Sequence, residues 1–531
     1  MKAEEAQFVD NSNFLGNSNI NLGRSSKNVL PSNIRFDNFG HVIEEHENEI
    51  KATLSFSKPK IIFCQNDSVK IYEEALKSLG LDATIITFHE GECTMEDFIN
   101  KHSTEDDVNN FKAADFDPDE VFSWLVSTSG STGVPKMAAF TGRVVFDAIM
   151  FYAKSLLNQN KGTCLLLSPV QWSSNYLVTL SAPLTRTTIL KTSTKATTEH
   201  IVDMINKYKP NFTILSPLVI TQILQHPDCD LSCFDVINLG GSKVYKDLIT
   251  DLRTRTKGKI VEAYGQTECM GVLYPVPGTP LGSCGKALPQ YELKLVDPET
   301  NKEIREPNVS GELHVKGPMF SGYYKNPEET AKAFSEDNWL KTGDIMYRDE
   351  NDFFYFVERI KMLIKCKNYH LASPPAPAPP FEVHPTEIEE IVRELPDVVE
   401  VAVTGVPDPE HGEAPAACVI RRAGSELTAQ EIKDLIKGIP IFYSNAIRHM
   451  KLQNMLQENT LRRRWIHSKP RSRETSYEPV SSDQIHNPKY RLSDAKQLRG
   501  GVVFVDSLPL TSTGKVARMK LGQVVRSGCR E

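Results

Sequence analysis

The stretch Ser127-Thr128-Ser129-Gly130-Ser131-Thr132-Gly133-Val134-Pro135-Lys136 has the composition of a phosphate cradle. Each glycine lets the backbone come close to a ligand and turn its N–H groups inward, and each hydroxyl adds a donor. Lys136 adds a cation at the end. The G-x-x-x-x-G-K-[ST] spacing is absent, so this is not a P-loop. The ordinary alternative is a flexible Ser/Gly linker, but a linker has no reason to lie tightly between structured flanks. Three further stretches carry groups of chemical use: Tyr264-Gly265-Gln266-Thr267-Glu268, Lys341-Thr342-Gly343-Asp344 with Glu358-Arg359-Ile360-Lys361, and Thr513-Gly514-Lys515. Taken singly, the Thr-Glu pair reads as surface, the Asp as a turn residue and the Lys as an exposed side chain.

The elements around these stretches follow from apolar runs and their breaks. Val121–Val126 reads as a strand ahead of the phosphate loop, and Met137–Lys154 as a helix behind it. Order is expected to begin near Lys58, with a strand at Ile61–Cys64, a helix at Ser68–Leu79 closed by Gly80, and a strand at Ala83–Phe88. That is a β-α-β unit, which favours a parallel sheet. After the loop, strand-like runs at Thr163–Ser168, Thr187–Lys191, Phe212–Leu215, Val236–Leu239 and Lys259–Tyr264 are accompanied by helical runs at Thr198–Lys207, Leu218–Gln225 and Tyr245–Arg255. This alternation predicts a doubly wound α/β domain, with ligands at the carboxyl ends of its strands. The phosphate loop, Gly240-Gly241-Ser242 and Tyr264–Glu268 all fall at predicted strand ends, so one cleft would gather them.

From Gly282 the texture changes to short strands, at Tyr291–Val296, Gly311–Lys316 and Phe353–Val357. A smaller α+β region follows from about Lys361, with helices at Pro385–Leu395, Thr428–Lys437 and Val516–Val525. Its strands are expected at Val399–Val406, Ala414–Arg421 and Gly501–Val505. Two segments interrupt it: the Pro/Ala run Ser373–Pro380, and the polar, basic stretch from Ile439 to about Tyr490 centred on Arg462-Arg463-Arg464. The second reads as a solvated insertion rather than a nucleic-acid patch.

Composition narrows the classes. The chain has 531 residues, 40% of them hydrophobic, enough for several large cores. A formal net charge of −7 argues against nucleic acid as the main partner. The polar, acidic start predicts no secretory signal, and no apolar run approaches the length of a membrane span. The 10 cysteines are scattered without a paired framework. Cys229 and Cys233 lie closest, with no further ligands in metal-binding spacing, which predicts reduced thiols in an intracellular protein. Residues 1–48, rich in Asn and Ser, read as loop or disorder.

In their order and spacing, the four stretches resemble the adenylate-forming superfamily of acyl-CoA synthetases, 4-coumarate–CoA ligases and beetle luciferases, and most closely the insect luciferase-like acyl-CoA ligases. The resemblance runs from about Glu47 to the C-terminus, apart from the two interruptions. It implies a large N-terminal domain of doubly wound sheets with a small β-rich unit, at 49–360. A smaller, mobile α+β domain follows at 361–531, with insertions at 371–382 and 439–490. It implies ATP, Mg²⁺ and coenzyme A, and a carboxylate substrate joined first to AMP and then to the coenzyme A thiol. By this resemblance Ser127, Thr128, Ser129, Gly130, Ser131, Thr132, Gly133 and Lys136 hold the β- and γ-phosphates, and Glu268 binds magnesium. Tyr264 stacks on adenine beside Gly265 and Gln266, and Thr267 contacts the α-phosphate. Asp344 and Arg359 hold ribose. Gly240, Gly241 and Ser242 line the adenine and acyl sites, and Trp172, Asn175 and Gly271 shape the acyl pocket. Lys361 is the hinge, Lys515 bridges the carboxylate and the α-phosphate, and Lys365 serves the thioester step.

The chain departs from the family pattern in places. The stretch ahead of the phosphate loop is short, and the Pro/Ala run opens a join that is continuous in the family, between Asn368-Tyr369-His370 and Val383-His384-Pro385. Pro169–Asn175 carries Trp172 where the family has a histidine-containing pattern. The chain ends Cys529-Arg530-Glu531 rather than in a peroxisomal tripeptide, so the resemblance leaves peroxisome and cytoplasm both open. Two other functions stay open: a nucleotide- or acyl-binding relative impaired in catalysis, and a luciferin monooxygenase.

Overall fold

A computed structural model describes residues 8–9, 43–88, 90–102, 117–128, 136–154, 162–168, 172–192, 196–366, 381–408, 412–437, 496–510 and 516–528. Most of the phosphate loop, the Pro/Ala run, the basic insertion and Thr513–Lys515 lie outside the described residues. The chain divides into two units between Val357 and Glu358. Among the described residues no disulfide is formed, and no helix is long and apolar enough to cross a membrane. The expected mixed α/β architecture, with several sheets in a large N-terminal region and a smaller α+β C-terminal one, is what the structure has.

The larger unit opens with helix Ile43–Ser57, so order starts ahead of Lys58, and part of the stretch read as loop is helical. Ile50 and Leu54 of this helix pack on Tyr72, Ala75 and Leu76 of helix Val69–Leu79. That second helix ends at Gly80, whose φ of 60° needs no Cβ. Strands Ile61–Cys64 and Thr84–Thr87 pair in parallel, completing the β-α-β unit.

The doubly wound sheet runs Thr188–Leu190, Thr163–Leu165, Phe212–Leu215, Val236–Leu239, Lys259–Glu262, all parallel, with Phe8–Val9 antiparallel at its edge. In chain order this is 2-1-3-4-5, so the winding reverses beside Thr163–Leu165. Side chains alternate across the sheet: Leu165, Leu190, Leu215 and Leu239 enter one core, and Cys164, Ile189 and Phe212 the other. Helix Ser173–Thr185, which the sequence reading did not anticipate, covers the second face with Val178 and Ala182. Caps set the helix starts: Ser216 accepts from Val219 N at 3.5 Å, and Thr197 from His200 N at 3.2 Å.

Two strand readings are corrected. Met137–Lys154 is not one helix: Lys136–Thr141 is a strand paired antiparallel to Phe122–Thr128, and the helix begins at Gly142. Met137-Ala138-Ala139-Phe140 is buried on both faces, and so has no alternation to mark a strand. The strand at Lys259 stops at Glu262; Tyr264–Gln266 belongs to a separate antiparallel sheet with Met270–Tyr274 and Lys286–Ala287. A five-stranded sheet, ordered Glu303–Ile304, Glu292–Val296, Gly311–Lys316, Leu340–Arg348, Phe354–Arg359, forms the β-rich part.

The smaller unit centres on the long antiparallel pair Val398–Asp408 and Gly412–Arg421. Ile364–Cys366 and Gly501–Phe504 join Gly412–Arg421, and Phe381–Val383 pairs with Ile364–Cys366. Helices Pro385–Arg393 and Ala429–Lys437 bury Ile388, Val392, Ile432 and Ile436 on the sheet.

Candidate nucleotide site

The phosphate loop closes a hairpin. Its strands stay paired to Thr128 opposite Lys136, and the Thr128 hydroxyl donates to the Lys136 carbonyl at 3.3 Å. Trp124, Val126, Ala138 and Phe140 turn into the core and anchor the hairpin. A third strand, Gly322–Tyr323, pairs with Lys136–Thr141, setting Tyr323 opposite Ala138. This register brings the Lys136 amine to 4.9 Å from the Tyr323 ring centroid. The same amine pairs with Glu329, on helix Pro327–Ala333. Asn326 caps that helix, accepting from Glu329 N at 3.1 Å. Lys136, and then Lys332, pull the Glu329 carboxyl down to about 2.

Tyr264 and Glu268 share the hairpin Tyr264–Gln266/Met270–Tyr274. Its crossing is tight: a Cβ on Gly265 would lie 1.9 Å from the Met270 carbonyl, so only glycine fits. The Tyr264 hydroxyl donates to Asp344 Oδ2 at 2.7 Å. Past the turn, Glu268 Oε1 accepts from the Tyr323 hydroxyl at 2.7 Å. Among the described residues Glu268 Oε2 takes no hydrogen bond. Tyr323 thus touches both Lys136 and Glu268.

Asp344 is presented by a bulge. Ile345 pairs with Glu312 and Lys341 with His314, so Thr342, Gly343 and Asp344 oppose Leu313 alone. Gly343 takes φ 68° there, and its N–H donates to Glu312 Oε1 at 2.9 Å. The Thr342 hydroxyl donates to the Leu313 carbonyl at 2.7 Å and accepts from Asp344 N at 3.1 Å. Asp344 is 2% exposed. Asp344 thus sits within strand Leu340–Arg348 rather than in the turn that a lone Gly-Asp pair suggests.

Gly240 lies just past strand Val236–Leu239, and a Cβ there would come 3.2 Å from the carbonyl of Ala263, next to Tyr264. Gly241 has φ 88°. Two residues from Tyr264, burial pushes the Glu262 carboxyl up to about 7; the Cys284 thiol donates to its Oε1 at 3.7 Å. Trp172 precedes helix Ser173–Thr185, half-buried. Asn175 is buried, donating to the Ser168 carbonyl and accepting from Thr179 Oγ1 at 3.1 Å and Lys191 Nζ at 3.2 Å. Gly271 faces Tyr152, whose hydroxyl would be 3.6 Å from a Cβ.

The larger unit therefore gathers two linked pairs: Tyr323 joins Lys136 to Glu268, and Tyr264 holds Asp344, with Tyr264 and Glu268 carried by one hairpin. It does so between three antiparallel sheets, not along one row of parallel strand ends. Arg359, Lys361 and Lys365 belong to the smaller unit, where Lys365 N donates to Glu413 Oε2 at 2.8 Å and Lys361 is exposed. Lys515 and Ser129–Gly133 lie outside the described residues. Tyr323 and Glu329 were missed from sequence because neither stands in a glycine-rich or charged motif; only Asn326-Pro327, a helix start, marks the place.

This architecture, a parallel α/β sheet with three antiparallel sheets and a smaller α+β unit, is that of an adenylate-forming type of α/β enzyme. A profile described as AMP-binding enzyme matches residues 45–324, more than half the chain, and one described as AMP-binding enzyme C-terminal domain matches 387–453. The chain belongs to the AMP-binding enzyme family. It is 29% identical over 495 residues to luciferin 4-monooxygenase of Photuris pensylvanica, covering 90% of this chain and 78% of that one. It is 28% identical over 361 residues to 4-coumarate–CoA ligase 2 of Nicotiana tabacum, covering 65% and 64%. Among solved structures, ATP-bound MatB from Rhodopseudomonas palustris superposes with a TM-score of 0.69 at 22% identity, covering 91% of this chain and 82% of that one; at that identity the likeness concerns the fold.

Proposed function

We propose that this protein is an AMP-forming acid–thiol ligase. A carboxylate oxygen attacks the α-phosphorus of ATP and pyrophosphate leaves. The coenzyme A thiolate then attacks the acyl carbon and AMP leaves. The observation that carries the reading is the shared frame of Tyr264, Asp344, Glu268 and Lys136. An aromatic ring beside a buried carboxylate suits a nucleoside, and a hydroxyl-rich loop ending in a lysine suits its phosphates. In this reading residues 49–360 bind the nucleotide, and residues 361–531 move about Lys361. Ser127–Gly133 and Lys136 hold the leaving pyrophosphate. Tyr264 faces adenine, with Gly240–Ser242, Gly265 and Gln266 around it, and Thr267 meets the α-phosphate. Asp344 and Arg359 hold ribose.

Glu268 would hold Mg²⁺. Its Oε2 takes no hydrogen bond among the described residues, and a single carboxylate completed by phosphate oxygens and water is a donor set that suits this ion. When bound, the ion would neutralise phosphate charge; the chain's own part is Tyr323, which fixes the carboxylate. Lys515 would lie between two anionic reactants and stabilise the charge that develops as they join. Lys365 would serve the thioester step.

Acid-dependent exchange of pyrophosphate into ATP tests the reading, with Lys515→Ala as control. Exchange that requires an acid and falls steeply in Lys515→Ala is expected. A folded protein that exchanges with no acid in a broad panel sinks the ligase reading. Exchange without acyl-CoA formation favours a relative impaired in its second step, because the arms Ile364–Cys366 and Phe381–Val383, one of them bearing Lys365, flank the Pro/Ala run.

A further inference from the structure

Lys191 follows the edge strand Thr188–Leu190 and reaches helix Ser173–Thr185. Its Nζ donates to Asn175 Oδ1 at 3.2 Å and to Thr179 Oγ1 at 3.3 Å. These acceptors lie one helical turn apart on one face. Burial pulls the lysine below its ordinary pKa. An ammonium has three donors; among the described residues two are used, both on neutral acceptors, and no carboxylate pairs with it. The neighbouring Cys164 is no counter-ion, because burial pushes its thiol up to about 12. Lys191 is half-buried, and a cation drawn this far out of water is normally paired, so its remaining N–H is open to an acceptor.

A second group nearby is also unmet. Ser168 Oγ is buried and has no hydrogen-bond partner. Asn175, 3% exposed, ties the two together: its amide donates to the Ser168 carbonyl while its oxygen accepts from Lys191. Asn175 thus stands between a half-buried cation with an N–H unused among the described residues and the backbone of a serine whose hydroxyl has nothing to bond. Both stand just past the carboxyl ends of neighbouring parallel strands, Thr163–Leu165 and Thr188–Leu190, where open α/β sheets take their ligands. Cys164 and Leu166, which precede Ser168, and Val178 and Ala182, on the helix that carries Asn175, belong to one apolar cluster. The group missing from this place is an oxygen acceptor.

We propose that Lys191 and Ser168 form a subsite for the far end of the acid substrate, and that this end carries an oxygen, as a second carboxylate or a hydroxyl. The proposal rests on the ligase reading and on Asn175 as part of the acyl pocket. A plain hydrocarbon tail would seal both donors from water without pairing them, and sites of this kind reject such analogues.

The test compares octanoate, omega-hydroxyoctanoate and octanedioate, with hexyl and decyl homologues for length, as substrates for pyrophosphate exchange. The oxygenated acids are expected to exceed the plain acid in kcat/KM on the order of 100-fold, or about 2.7 kcal/mol. Preference for the diacid over the hydroxy acid identifies the acceptor as anionic, and the reverse as neutral. Lys191→Met, close in volume, is expected to bring the ratio near one, and Ser168→Ala to lower it about tenfold. Lys191→Met should melt no lower than the parent, because it removes a desolvated charge. Equal use of all three acids by the parent, or a ratio that survives Lys191→Met, overturns the subsite while leaving the ligase reading standing. Absence of exchange with every acid overturns the ligase reading instead. Calorimetry then decides the subsite: octanedioate should bind the parent and not Lys191→Met, and equal heats refute it.

Discussion

Arg518 begins the helix Arg518–Ser527, three residues beyond Lys515, and holds a cluster of buried carboxylates in the smaller unit. Its Nη1 and Nη2 donate to the two oxygens of Glu389 at 2.6 and 2.9 Å, and Nη1 also donates to the Val403 carbonyl at 2.9 Å. Glu389 is 1% exposed and also accepts from Val403 N at 2.7 Å. Glu358, 3% exposed, accepts from Arg359 N at 2.9 Å and Thr386 N at 3.2 Å. Burial raises the Glu358 pKa, Arg518 pulls it back, and Glu389 pushes it further up. Arg518→Met would leave two buried carboxylates without their cation, a loss of about 3–5 kcal/mol. That is a large part of a domain's usual stability. Urea unfolding followed by circular dichroism measures it. The double variant Arg518→Met/Glu389→Leu should recover most of the loss, because a pair replaced by apolar groups is close to neutral. Glu358 gives the pH dependence. An acid raised in the folded state supports folding below its unfolded pKa and withdraws that support as pH rises through the folded value. The deficit of Arg518→Met should therefore be larger at about pH 8 than at about pH 5. A loss under about 1 kcal/mol, the range of exposed pairs, or a double variant as weak as the single, refutes the reasoning.

Asp344→Asn keeps the shape of the bulge but removes the charge that would bind a diol, so the KM for ATP in pyrophosphate exchange should rise on the order of 100-fold, at 1.5–3 kcal/mol per charged hydrogen bond; an unchanged KM would remove Asp344 from the nucleotide site. Glu262, raised from 4.5 to about 7 by burial, supports folding below its unfolded pKa and loses that support as pH climbs to about 7. Thermal melts should show at most about 3 kcal/mol lost over that window, and Glu262→Gln should flatten the slope. Glu329→Gln frees Lys136 from its carboxylate, so the KM for ATP should fall roughly threefold, whereas a rise would mean that Glu329 orients the lysine for phosphate.

Where a short apolar run is bounded by turn residues, or apolar residues recur on one face of a helix, the sequence was readable. Ile61–Cys64, Phe212–Leu215 and Val236–Leu239 stand at their expected positions, and helix Val69–Leu79 ends at the glycine that marked its end. Two-sided burial hid a strand only where no break marked its end: Phe212–Leu215 and Val236–Leu239 also meet two cores but stop at turn residues, whereas Lys136–Thr141 runs straight into the helix at Gly142. Lys136–Thr141 has four consecutive buried residues between strands Phe122–Thr128 and Gly322–Tyr323, and a run without period reads equally as helix. Helix Ser173–Thr185 was missed for a related reason: it carries Pro183 and buries Asn175 and Ser181 among its apolar residues, which blurs any stripe. Of the site, Tyr264, Glu268, Lys136 and Asp344 were named from glycine-flanked motifs. Tyr264 bonds Asp344 directly, but the contacts around Lys136 and Glu268 run through Tyr323 and Glu329, far away in sequence and unmarked by motif. Those contacts are set by strand register, which no local pattern encodes.

The hairpin around the phosphate loop changes where binding energy for an anion would come from. A strand-loop-helix arrangement would aim a helix N-terminus at the phosphates. Here a strand follows the loop, so that contribution is gone, and the loop's own donors and nearby side chains must supply it. Those side chains are balanced: Lys136 and Lys332 both hold Glu329, and Glu268 lies on the other side of Tyr323. Two cations and two carboxylates sum to zero, so a fully ionised triphosphate would gain no net attraction from these four groups. On the ligase reading, attraction has to be created on arrival, either by a divalent cation that comes with the nucleotide and meets Glu268, or by Lys136 exchanging Glu329 for phosphate. Both routes act through Tyr323, whose ring lies against the lysine and whose hydroxyl holds the glutamate. On that reading, selection of the metal-bound nucleotide over the free one would follow from this charge balance rather than from the loop's sequence.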